Sequence, residues 1–174
     1  MSNPVLDSIA DRRSIRGYRQ EQISKEQLDA LMAAAVQSPS ANNAQPWHFT
    51  VVQKREIIEE INAEAMKNLG REGSDIFYGA PTAIFISCDA NSKWGRLDCG
   101  IAVQTLALAA HSLGLGSVIL GLPDAAFRGS KKEHFEKLLK FPEGHSFAVA
   151  IAIGIPTTTK EAHPVKPGKI DFVD

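Results

Sequence analysis

The stretch from Trp94 to Leu113 limits the possible folds more than any other part of this sequence. It reads WGRLDCGIAVQTLALAAHSL, a run of helix formers that is apolar over most of a helical circumference. A helix of this kind must be covered, either inside its own domain or against another subunit. The wider apolar tract from Ile101 to Leu122 is broken by Gln104, His111 and several glycines. It therefore reads as a buried helix followed by a strand, and no membrane span is expected. With 174 residues, 44% hydrophobic and 22% charged, the chain has enough apolar material for one domain over residues 1–174. A formal net charge of −1 argues against a generic polyanion binder, so nucleic acid is not an expected partner.

Helices and strands alternate along the rest of the chain. Asn3 before Pro4 is a helix-start signal, and the helix it opens should run to the arginines at 12 and 13. Ser24 and Gln27 have capping-box spacing ahead of Leu28, Leu31, Met32 and Ala35, which predicts a second amphipathic helix over 24–37. HFTVVQ reads as a strand, and residues 54–68 as a helix through Ile57, Ile58 and Ile61. TAIFISC, apolar without alternation, reads as a central strand covered on both faces. Beyond the long helix, Gly114 and Gly116 mark its end and GSVILG forms a strand. A shorter helix with Phe135, Leu138 and Leu139 then precedes the strand FAVAIAIGIP. Residues 157–174 read as an extended arm with too little apolar content to fold alone, suited to lie across a neighbouring subunit. The pattern is α/β or α+β, a sheet flanked by helices.

Four segments carry possible chemistry. Arg12-Arg13-Ser14-Ile15-Arg16 combines guanidinium forks with a hydroxyl, which suits a phosphate monoester, and continued helix would place Arg12 and Arg16 on one face. The same arginines would equally suit the negative end of the helix dipole. Pro39-Ser40-Ala41-Asn42-Asn43-Ala44-Gln45-Pro46-Trp47 is a loop rich in side-chain amides, able to meet an imide ring or a polyol, or simply to satisfy its own turns. Gly114 to Gly121 permits close approach of backbone to a flat ligand, or forms a helix cap and tight turn. In the tail, Lys166 and Lys169 are either further cations for an anion or solvated termini.

Other chemistries have little support in the sequence. The five histidines are scattered with no metal-ligand spacing, and Cys88 and Cys99 show no CxxC pattern, so no metal is expected and the thiols read as buried and reduced. The N-terminus has no apolar core of a signal peptide, which makes the cytoplasm the default compartment. With few acid/base groups on offer, a cofactor-run reaction is expected and no side chain is assigned as catalytic.

RRSIRGY, PSANNAQPWHF, DCGIAVQTLALAAHSLGLGS and VILG, in that order over nearly the whole chain, resemble the FMN-dependent nitroreductase family. The resemblance implies a nitroreductase-like α+β fold, a central mostly antiparallel sheet flanked by helices, in an intertwined homodimer with exchanged C-terminal arms. It implies FMN bound between subunits, with Arg12, Arg13, Ser14 and Arg16 on the phosphate and polar edge. Pro39, Ser40 and Asn43 would come from the second subunit, and Ile119, Leu120 and Gly121 would lie beside the ring with a backbone amide near N5. Gln45 and Trp47 would support their loop, and the helix around Asp98, Gly100 and Gln104 would lie in the dimer core. Lys166 and Lys169 would reach the phosphate, although Gly168 stands where the family's tails place an arginine. The implied activity is hydride transfer from NADH or NADPH through the flavin to a small organic acceptor such as a nitroaromatic or quinone. Relatives with this fold also perform dehalogenation or flavin fragmentation, and a flavin-binding sensor without turnover is the remaining alternative.

Overall fold

The computed structural model describes residues 3–173 and forms three layers around one sheet. In chain order the elements are α1 (Pro4–Asp11), α2 (Lys25–Val36), β1 (Trp47–Val52), α3 (Arg55–Asn68), β2 (Thr82–Asp89), α4 (Gly95–Ser112), β3 (Gly116–Leu120), α5 (Lys132–Leu138) and β4 (His145–Gly154). The four strands lie in the order β1-β2-β4-β3, and every neighbouring pair is antiparallel. This is the α+β sheet that the resemblance implies. The strand read as central, β2, occupies an interior position and is buried along almost its whole length.

Strand pleating divides the core in two. On one face Ala83 and Phe85 of β2 and Phe147, Ala150 and Ala152 of β4 pack under α3, α5 and a 3-10 turn at Leu122–Phe127. On the other, Ile84, Ile86, Ile151 and Ile153 pack under α2 and α4. The alanines of β4 leave room on the first face for aromatic side chains, where the Phe127 ring stacks on Phe147 with centroids 4.7 Å apart. The isoleucines fill the second face beneath Leu106, Ala107 and Ala110 of α4.

Helix α4 is buried along Asp98, Cys99, Ala102, Val103, Leu106, Ala107 and Ala110. Its remaining stripe faces outward, with Leu97 61% exposed and Ile101 also exposed. The residues of α1 are uncovered too, including Val5, Leu6 and Ile9. Asn3 caps α1 by accepting from the Val5 and Leu6 amides, and Ser24 and Gln27 form the reciprocal capping box of α2. Among the described residues no helix is long and apolar enough to cross a membrane.

One local expectation is corrected. Helix α1 stops at Asp11, and Arg12 has φ −57° and ψ 132°, so Arg12 and Arg16 share no helical face. The segment leaves the helix because Ser14 pairs with Ser117 of β3, and a backbone ladder cannot be made in helical conformation. Asp98 is buried and accepts a hydrogen bond within its own chain, while Leu97 and Ile101 form the outward face of α4. The 3-10 turn after β3 has no counterpart among the sequence expectations. The arm from 157 to 173 carries neither helix nor strand, and its Phe172 is 88% exposed.

Candidate functional site

One group of candidate residues gathers on the β3 edge of the sheet. Ser14 bridges Ser117 in parallel sense, and the Ile15 amide donates to the Ser117 carbonyl at 2.9 Å. Gly116 makes this docking possible, since a Cβ there would stand 3.0 Å from both Ile15 Cγ2 and Pro156 Cβ. The Tyr18 hydroxyl donates to the Ile15 carbonyl at 2.6 Å, and burial raises the pKa of that phenol, keeping it a donor. The arginine segment is thereby held by a single β-bridge against the edge of the sheet.

Within it the three guanidinium groups do different work. Arg13 Nη1 donates to the Ala10 carbonyl at 2.6 Å and to the Arg12 carbonyl at 2.8 Å, so Arg13 serves the C-terminal end of α1. Arg12 is half-buried and makes neither an ion pair nor a hydrogen bond through its side chain among the described residues. Arg16 is exposed, with its guanidinium carbon 5.5 Å from the centre of the Tyr78 ring. Arg12 and Arg13 line a cavity of about 330 Å³ together with His111, Ser117, Thr158 and Lys160. Asp11 also lines this cavity, but Arg12, with no ion pair among the described residues, stands there beside Lys160 and hydroxyl groups, a donor set suited to a phosphate dianion.

Beyond that cavity β3 offers an apolar shelf. Ile119 is 37% exposed between buried Val118 and Leu120, and a side chain at Gly121 would meet nothing within 4 Å. Backbone groups two residues apart in a strand point the same way, and the Ser117 carbonyl faces the arginine segment. The N–H and C=O of Ile119 therefore face that same open edge, away from β4. The shelf thus combines apolar surface with a free backbone donor, as a flat heteroaromatic ring requires.

The second group of candidates lies at the entry to β1. Asn42, Asn43 and Gln45 have φ of 53°, 54° and 46°, three left-handed residues without a glycine. Such a loop persists only where bonds over-determine it. Here the Asn43 amide donates to the Ser40 carbonyl, the Gln45 amide to Ser40 Oγ at 3.0 Å and Gln45 Nε2 to Asn43 Oδ1 at 2.9 Å. Gln45 supports the loop, while Pro39 and Asn43 are exposed. The Ala41 amide donates to Asp98 Oδ1 at 3.1 Å, fastening the loop to the first turn of α4.

The two groups do not meet within one chain. Strands β1 and β3 are the outer strands of the sheet, three inter-strand spacings or about 14 Å apart. Lys166 and Lys169 are exposed, make no ion pair among the described residues and do not line the cavity beside Arg12. Lys160 takes a place beside Arg12 that the sequence did not suggest. It arrives there because Tyr18 bridges Pro156 and the Thr157 amide donates to the Gly17 carbonyl, contacts between distant segments with no local signal. Asp98 was visible in its motif, but its loop partner 57 residues away was not.

Cys88 and Cys99 are free and buried, and burial pushes the Cys99 thiol up to about 12 and Cys88 upward as well, so neither is a thiolate at neutral pH. Among the described residues no group of three His, Cys, Asp or Glu side chains could hold a metal ion. A separate cavity of about 510 Å³ lies between α3 and the 72–81 segment, with Ile58, Met66 and Phe77 in its wall. Asn62 braces this segment by donating to the Ser74 carbonyl and accepting from the Ile76 amide.

Comparison with known proteins agrees with this architecture. The sequence pattern of the nitroreductase family matches residues 9–155. A protein of Methanothermobacter thermautotrophicus named for NADH dehydrogenase and NAD(P)H nitroreductase activity is 36% identical, across 98% of this chain and 83% of its own. The NAD(P)H-linked FMN reductase of Bacillus subtilis is 30% identical, across 95% of this chain and 71% of its own. The FMN-bound nitroreductase of Desulfitobacterium hafniense superimposes with a TM-score of 0.93 at 37% identity, covering 100% of both chains. On its sheet topology, its arginine segment docked on β3 and this agreement over most of its length, the chain belongs to the nitroreductase family.

Proposed function

We propose that two copies of this chain form a homodimer that holds FMN between them and passes electrons from NADH or NADPH to a small organic acceptor, such as a nitroaromatic or a quinone. The observation that carries this reading is the placement of unpaired Arg12 and Ser14 beside the open edge of β3, where cations, a hydroxyl, an apolar shelf and a free amide converge. This donor set fits a phosphate attached to a planar ring.

Arg12 and Ser14 hold the phosphate, with Lys160 as a further cation from the first residues of the arm. Arg16 lies toward the polar edge of the ring, and Arg13 acts through the end of α1. Ile119, Leu120 and Gly121 form the shelf against which the ring rests, with the Ile119 amide facing its edge. Pro39, Ser40 and Asn43 are supplied by the second copy, because within one chain they stand at the opposite edge of the sheet. The outward stripe of α4 and the uncovered α1 give that copy an apolar surface to bind. The arm at 157–173 extends over the neighbour, and Lys166 and Lys169 approach a phosphate only once it is laid down there.

FMN held by these residues would supply the hydride-carrying chemistry that links NADH or NADPH to the acceptor in ping-pong turnover. The chain's own residues orient the ring, exclude water beside it and present donors to the negative charge that builds on its pyrimidine edge, which is electrostatic stabilisation rather than acid/base catalysis. We place this activity in the cytoplasm. Purified protein should be yellow, bleach anaerobically with NADH or NADPH and recolour on addition of a nitroaromatic or quinone. A yellow protein inert to both nicotinamides would overturn the reductase reading, and a colourless protein that binds no added FMN would overturn the flavin site.

A further inference from the structure

We propose that Asp98 is a positioning residue for the flavin site of the opposite subunit, setting the loop at 39–45 against the dimer helix before any flavin arrives. This inference rests on the shared-site reading above and adds a residue to it that touches neither flavin nor substrate.

Asp98 is 3% exposed and stands in the first turn of α4. Its Oδ1 accepts the Ala41 amide at 3.1 Å, while its Oδ2 is buried with no partner. Leaving a carboxylate oxygen unpaired away from water is costly, so the residue is poorly explained as packing alone. The loop it holds contains left-handed Asn42, Asn43 and Gln45, each of which costs free energy to maintain. Among the described residues, apart from the Pro46 carbonyl, which accepts from the Asp89 amide at the start of β1, the Ala41–Asp98 bond is the hydrogen bond that ties this loop to the rest of the subunit.

The neighbour of Asp98 gives this bond its reach. Leu97 lies on the outward stripe of α4 with Ile101, the surface assigned to the second copy. One helical turn thus grips the loop on its inner side and the partner on its outer side. The position of Ser40 and Asn43 is referenced through Asp98 to the subunit interface, which is the frame in which they must meet the other chain's flavin. Loop order is then established at folding, and flavin binding does not have to supply it.

Two variants remove the same bond from opposite ends. Asp98→Ala deletes the acceptor. Ala41→Pro deletes the donor, at the first position of a 3-10 turn preceded by extended Ser40, where proline fits. Each should weaken FMN binding about tenfold, whereas Asp98→Asn, which keeps an acceptor, should stay within about twofold of the wild type. The decisive sample is a mixed dimer of differently tagged subunits, one carrying Arg12→Ala and the other Asp98→Ala. If Asp98 acts across the interface, both defects fall in one site and the dimer retains one FMN at wild-type affinity. If it acts within its own chain, each site carries one defect and no tight site remains, which overturns the proposal.

Failure is distinguishable from failure of the underlying reading. Wild-type FMN affinity in both Asp98→Ala and Ala41→Pro, alongside a clear loss in Arg12→Ala, overturns the role of Asp98 and leaves the flavin site standing. Loss of thermal stability in both without loss of FMN affinity reduces Asp98 to a structural residue and has the same consequence. Undiminished binding by Arg12→Ala overturns the shared site itself.

Discussion

At the β3 edge the candidate residues sit on extended backbone in ladder register, whereas at the β1 edge they sit on a loop with three left-handed residues pinned by one buried carboxylate. The first edge is held by contacts that any sheet makes, and its specificity lies in cationic side chains left without partners. The second is held by a few bonds that serve only that loop, and its specificity lies in amides. Ligand chemistry suited to a phosphate is thus built into the rigid scaffold, while chemistry suited to a ring or polyol is built into a strained loop that needs a separate reference point. The two edges are kept apart by β2 and β4, so in the proposed dimer each would meet its counterpart on the other chain.

The largest effect should come from the surface assigned to the proposed dimer. Replacing Leu97 or Ile101 by Glu puts a charge into an apolar interface at a cost of several kcal/mol, and sedimentation should then show monomers that have lost their flavin. A monomer that stays yellow would break the comparison, since one chain would then be enough. Next comes the cationic edge. Arg12→Ala should weaken FMN binding by about 1.5 to 3 kcal/mol in a fluorescence titration, and should leave riboflavin, which lacks the phosphate, little changed. Equal losses for both ligands would place Arg12 on the ring instead.

Arg13→Ala sharpens the contrast within the same motif. Its guanidinium serves the end of α1, so the variant should lose up to about 1 kcal/mol of stability on thermal unfolding and retain flavin better than Arg12→Ala. Among the lysines, Lys160→Ala should reduce FMN affinity more than Lys169→Ala. The opposite order would show that the arm, once docked, carries the phosphate contact.

The smallest effect belongs to the end of the sheet nearest the amide loop. Burial holds the His145 imidazole below its usual titration range, with His48 6.5 Å away edge-on. As pH falls below about 6.5 the unfolded chain takes up the proton first, so the stabilisation is complete above that value and is lost as pH falls through the folded-state pKa. His145→Gln should flatten the slope of stability against pH in that window.

The elements were legible because their signals are local. Asn3-Pro4 and Ser24–Gln27 start helices where their caps are found, and the non-alternating run of β2 and the all-round apolar character of α4 required burial on both faces or against a partner. The arginine motif was legible as chemistry but not as geometry, because its departure from helix is decided by Ser117, more than 100 residues away. Lys160 and the Asp98–Ala41 bond were hidden for the same reason. Each depends on where distant segments cross, and residue type alone carries no record of that.

The most direct test follows bound flavin and subunit association in one dilution series, with FMN fluorescence as the first readout and sedimentation velocity as the second. Two FMN per dimer, released in step with dissociation into single chains, is the predicted result. Single chains that keep their flavin at wild-type affinity would contradict the account.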